Sequence, residues 1–166
     1  MAMSHTSTGT HDFDFLFGSW HVVNERLTSR LTNSDAWERF EATGECWPIL
    51  GGGGNVDRAR ATWRGADFEG VSLRVFSPAT EQWSIYWVDN VTYELQPPVV
   101  GRFVDGVGEF YGDDQHQGTP VLARFIWSNI TSDAARWEQA FSTDRGETWE
   151  TNWIMTFTRR PSAHTD

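Results

Sequence analysis

The chain has 166 residues, 23 acidic side chains against 13 basic ones (all arginine), and a formal charge of −10. That length suits one domain with a self-sufficient core, and the acidity argues against nucleic acid or an anionic membrane surface as partners. The absence of lysine removes Schiff-base chemistry, and the single cysteine, Cys46, excludes an internal disulfide framework and a thiolate metal cluster.

Residues 1–11 read as a disordered tail with neither the basic nor the apolar region of a secretory signal. No segment reaches the ~18 apolar residues of a membrane helix, so a soluble, cytoplasmic protein is expected. Residues 12–160 read as one domain and 161–166 as a second disordered tail. Asp12 to Phe17 suits a single helical turn capped by Asp12 or Asp14. From there, strand-sized segments alternate with turn chemistry every eight to twelve residues, as in a sandwich or barrel. They cover 20–31, 37–50, 59–63, 71–76, 82–89, 94–103 (interrupted by Pro97 and Pro98), 107–111, 120–128, 135–142 and 148–159. The run Gly51 to Gly54 lacks a following helix and a lysine, so it reads as a turn rather than a phosphate loop.

Ten tryptophans are present, many at every second position: Trp83-x-Ile85-x-Trp87, Phe125-x-Trp127, Trp137-x-Gln139-x-Phe141 and Trp149-x-Thr151-x-Trp153-x-Met155-x-Phe157. Alternation in a strand stacks such side chains on one face. This aromatic volume exceeds what a sandwich core of this size needs and suggests a closed sheet around an aromatic-lined interior. With short connections, the expected fold is all-β: an antiparallel up-and-down barrel of eight to ten strands behind a short N-terminal helical turn.

Ser142-Thr143-Asp144-Arg145-Gly146-Glu147-Thr148-Trp149 fits the Asp-box pattern S-x-D-x-G-x-T-W of sialidases, but one copy in a chain this short is a hairpin turn, not a propeller site. A turn centred on Arg145 would set Phe141 opposite Trp149, Gln139 opposite Thr151 and Trp137 opposite Trp153, leaving Gln139 and Thr151 as polar groups in an aromatic wall. Gly18-Ser19-Trp20 opens the first strand, and Arg159, in parity with Trp153, ends the last. In this arrangement the chain resembles the calycin superfamily, the lipocalin and fatty-acid-binding type of barrel, whose members often pack a terminal-strand arginine over a Gly-x-Trp tryptophan. It looks closest to the bacterial branch of lipocalin-like proteins of unassigned function.

The resemblance implies a small hydrophobic or aromatic ligand inside the barrel. The residues expected to bind it are Trp87, Trp127, Trp137, Gln139, Thr151 and Trp153, together with Arg74 and Arg124 if either points inward. Strict alternation sets Arg74, Arg124 and Glu138 outside, and Cys46 reads as inert packing. Haem-binding barrels of the nitrobindin type take a histidine from near the C-terminal end of the barrel, whereas this chain has only His5, His11, His21, His116 and His164. Neither haem, another cofactor nor a metal is therefore expected, and no catalytic set stands out. Two alternatives remain: a barrel lyase or isomerase acting on an aromatic or polyketide-type acid through Arg74, Tyr86, Arg124 and Glu138, and a structural barrel that fills itself. Hairpin edges and exposed tryptophans leave room for a homodimer.

Overall fold

The computed structural model describes residues 9–161. What was expected of residues 1–8 and 162–166, including His5 and His164, lies outside the described residues. Ten strands follow in order: β1 (Gly18–Leu27), β2 (Trp37–Ile49), β3 (Gly54–Trp63), β4 (Ala66–Ser77), β5 (Gln82–Asp89), β6 (Val99–Val104), β7 (Val107–His116), β8 (Thr119–Ser128), β9 (Ala134–Ser142) and β10 (Glu150–Arg159). Each pairs antiparallel with the next, and β10 returns to β1, so the sheet is a closed up-and-down barrel. Closure removes the sheet edges that an open antiparallel sheet would expose. A 3-10 turn at Asp14–Leu16 matches the expected N-terminal turn, and a second at Leu50–Gly52 joins the glycine run to β3.

Most strand ends fall near the turn chemistry, but β3 and β4 begin earlier than expected, at Gly54 and Ala66, β7 runs on to His116, and two further departures are instructive. β6 begins only at Val99, because Pro97 and Pro98 have no N–H to give to a ladder. As a result β5 and β6 share only the pairs Trp83–Gly101, Ser84–Val100 and Ile85–Val99, the thinnest seam of the barrel. On the other side of the barrel, β10 bulges between Thr151 and Trp153. Phe141 therefore faces Glu150, Gln139 faces Trp153 and Trp137 faces Met155, which corrects the register expected from a turn centred on Arg145. One extra residue in a strand shifts everything before it relative to everything after. Trp153, Met155 and Phe157 face the interior, while Trp149 lies against Tyr111 and beneath Arg124.

The Asp-box segment is a turn, as its chemistry suggests. Asp144 accepts from the Thr148 backbone N–H (2.9 Å) and from the hydroxyls of Thr148 and Ser142, and the Trp149 indole donates to the Gly146 carbonyl. These bonds to the carboxylate, Thr148 foremost, hold the Asp144 pKa down to about 2.

One end of the barrel is plugged by the segment before β1. Phe13 is fully buried, with ring centroids of Trp83 at 5.0 Å and Phe103 at 4.9 Å, and Trp83 donates its indole N–H to the Gly9 carbonyl. Arg159 fastens this plug. Its guanidinium lies 4.1 Å from the Trp20 ring centroid and donates to the carbonyls of Phe15, Phe17 and Ser132. Gly18 has φ +109° and sits where a Cβ would lie 2.8 Å from an Arg159 nitrogen, so both its backbone and its lack of a side chain are needed. The opposite end is the mouth, ringed by the connections 28–36, 64–65, 90–98, 117–118 and 143–149. No helix among the described residues is long and apolar enough to cross a membrane.

Candidate functional site

A cavity of about 100 Å³ lies inside the barrel. Its walls are mainly aromatic: Phe68, Trp87, Phe125, Trp127, Trp137 and Trp153, joined by Trp20 and Phe157 toward the plug. The rings meet edge to face, Trp153 with Trp87 at 6.0 Å and with Trp137 at 5.7 Å, an arrangement that favours fixed positions over free rotation. Gly70 makes the space Trp87 occupies, since a Cβ there would collide with the indole.

Of the ligand-binding residues expected from sequence, Trp87, Trp127, Trp137, Gln139, Trp153 and Arg74 line the cavity; Thr151 and Arg124 do not. Thr151 falls opposite Ala140, and the bulge puts Asn152 in its place: fully buried, Asn152 accepts a hydrogen bond from the Gln139 side chain at 2.8 Å. Arg124 stacks over Trp149 at 4.3 Å, away from the lining. Glu138 pairs with Arg136, and neither Glu138 nor Tyr86 reaches the cavity, so the residues suggested for a lyase do not converge.

Arg74 reverses the expectation from strict alternation. Along β4 the polar or small positions Gly70, Ser72 and Arg74 are buried with Phe68 and Phe76, while Val71, Leu73 and Val75 are only half-buried. Pairing decides this: Ser72 lies opposite Trp87 and Arg74 opposite Ile85, whose side chains line the interior. The Arg74 guanidinium forms an ion pair with Asp57 and donates to the Asn55 side-chain amide oxygen (Oδ1) at 2.9 Å. Cys46 directs its thiol toward the same oxygen at 3.8 Å, and burial pushes its pKa up to about 12. Sequence reasoning did not find Asn55 or Asp57, although both share the inward parity of Ala59 on β3. Asn24, which accepts from the Trp153 indole at 2.9 Å, also lines the cavity and was likewise missed.

The lining carries the arginine Arg74 and three carboxylates, Glu45, Asp57 and Asp114. Trp127 Nε1 and Arg74 Nε are buried and find no acceptor among the described residues, while the Arg74 guanidinium carbon lies 5.7 Å from the Trp127 ring centroid. The site thus offers two neighbouring donor side chains within an aromatic wall, and the one cation of its lining, Arg74, is already matched by Asp57. Among the described residues no cluster of His, Cys, Asp and Glu could hold a metal ion.

No family model and no curated protein matches the chain. Among solved structures it is similar to the S-type phycobiliprotein lyase CPES from Guillardia theta, at 11% identity and a TM-score of 0.65, covering 93% of this chain and 94% of that one. This likeness is one of fold, spanning nearly the whole length of both chains.

Proposed function

We propose that this barrel binds a small aromatic molecule carrying an acceptor oxygen, and that it does so in the cytoplasm, where its lone free thiol stays reduced. One observation carries the reading: a cavity walled by tryptophan and phenylalanine in which the Trp127 and Arg74 side chains each keep a buried N–H without an acceptor. Buried donors without partners cost roughly 1–3 kcal/mol each, so an oxygen supplied by a guest recovers energy that the folded chain leaves unused. The volume limits the guest's size. About 100 Å³ is comparable to the ~150 Å³ engineered cavity that takes up benzene and well below the ~300 Å³ at which drug-sized pockets begin. A single ring is the natural occupant.

The same void weighs against a self-filled structural barrel, and the outward positions of Tyr86, Arg124 and Glu138 weigh against the lyase reading. The likeness to a phycobiliprotein lyase supports a calycin-like container for a small molecule and no particular chemistry. Intrinsic tryptophan fluorescence, titrated with acetophenone and with ethylbenzene, tests the proposal. Saturable quenching by both is expected, with acetophenone favoured and its advantage lost in Trp127→Phe. No saturable response to either would overturn the reading.

A further inference from the structure

The barrel mouth holds a second unusual group of side chains. On β1 the inward parity of Trp20, Val22 and Asn24 continues to Arg26, whose guanidinium carbon lies 4.8 Å from the Trp63 ring centroid and 5.1 Å from that of Trp153. Arg30, in the connection after β1, lies 5.9 Å from the same Trp153 ring and 5.5 Å from Phe141. Both arginines therefore rest on Trp153, which also lines the cavity.

The nearby carboxylates are largely committed elsewhere. Glu38 takes both hydrogen bonds from Arg64 at 2.9 and 3.2 Å, and reaches Arg26 only at 4.0 Å. Glu150 accepts the Leu31 N–H at 2.8 Å, Asp114 that of Gln115, and Asp89 the Trp87 indole and the N–H groups of Val91 and Thr92. Arg30 makes no hydrogen bond or ion pair among the described residues, and its Nε and Nη2 are buried, as is Arg26 Nε. In a chain of net charge −10, a guanidinium with no carboxylate in hydrogen-bond or ion-pair contact stands out. Burial first, and then the neighbouring Arg26, lower the Arg30 pKa to about 9 against the opposing pull of Glu150 and Glu38, so it stays cationic at neutral pH with no carboxylate in direct contact.

We propose that Arg26 and Arg30 form an anion site at the barrel mouth and that the ligand is an aromatic acid, its oxygen-bearing ring in the cavity and its carboxylate held by these two arginines. A guanidinium presents a planar fork of donors that matches a carboxylate, and Trp153 joins the two parts of the site. The inner cation does not compete for this role, because a carboxylate beside Arg74 would also meet Asp57. This inference rests on the cavity-binding reading and names the class of ligand.

The test compares 3-phenylpropanoate with 3-phenylpropan-1-ol, which share a ring and differ in charge, by tryptophan fluorescence at low and high salt. The expected result is that the acid binds wild-type protein at least tenfold more tightly than the alcohol, with an advantage that shrinks in salt. Arg30→Gln should remove that advantage and leave the alcohol's affinity unchanged. Equal binding of acid and alcohol to the wild type overturns the anion site alone, and this comparison needs no variant to fold. Equal weakening of both ligands by Arg30→Gln, in protein whose melting is unchanged, also overturns it. Binding of neither compound overturns the cavity reading, and the anion site with it.

Discussion

Replacing Arg159 by methionine keeps most of the aliphatic stem and deletes the fork that ties the end of β10 to the plug. The structure allows the loss to be worked out. Two guanidinium bonds, to the carbonyls of Phe17 at 2.6 Å and Phe15 at 2.7 Å, are partly buried, whereas the third, to Ser132, is exposed and adds little. A bond from a charged donor contributes about 1.5 kcal/mol at the low end of its range, and stacking on Trp20 about 1 kcal/mol more, so Arg159→Met should cost about 4 kcal/mol. Because a domain of this kind has only roughly 5–15 kcal/mol in total, that is a large fraction. Urea denaturation followed by tryptophan fluorescence should show the midpoint falling by about 2 M at an m-value of about 2 kcal/mol per molar. Arg159→Lys should recover less than half of the loss, since an ammonium on a flexible stem cannot span three carbonyls in one plane. A change within about 0.5 kcal/mol for Arg159→Met, as for an ordinary surface substitution, would refute the idea that this clasp closes the barrel.

Asp144 and Cys46 give two further expectations. The Asp144 carboxylate has its folded pKa lowered from 3.8 to about 2, so its bonds to Thr148 and Ser142 stabilise the fold above pH 4 and are lost as pH falls toward 2. Asp144→Asn should therefore be less stable than wild type in urea at pH 7, by a margin that shrinks sharply as pH falls through 2; a gap of undiminished size at pH 2 would contradict this. The buried Cys46 thiol, pushed up to about 12, should resist a thiol-specific disulfide reagent at pH 8 in the native state and react fully in guanidinium. Rapid labelling of the native protein would mean that the β2–β3 wall opens readily.

The barrel itself was legible in the sequence because it depends on local properties. Turn chemistry marks most of the strand ends, and period-two apolar residues such as Trp83, Ile85 and Trp87 name their own inward face. The Gly18-Ser19-Trp20 start and the terminal Arg159 also meet as the family resemblance implies, since β1 and β10 pair Trp20 with Arg159. Arg26 was within reach of the same reasoning: it shares the parity of Trp20 along one uninterrupted strand.

Other features were decided only when the strands paired. On β4 the apolar Val71, Leu73 and Val75 suggest an inward face, yet the register with β5 turns Ser72 and Arg74 inside, where Asp57 and Asn55 from β3 make the guanidinium tolerable. A single bulged residue in β10 exchanged Thr151 for Asn152 as the partner of Gln139 and sent Trp149 away from the cavity. The convergence of Arg26 from a strand and Arg30 from a loop onto Trp153, at the far end of the chain, leaves no trace in local sequence. Hydrophobic periodicity specifies which residues can share a face. Which face closes around the cavity, and which charges find partners there, is set by cross-strand register, a property of two segments at once.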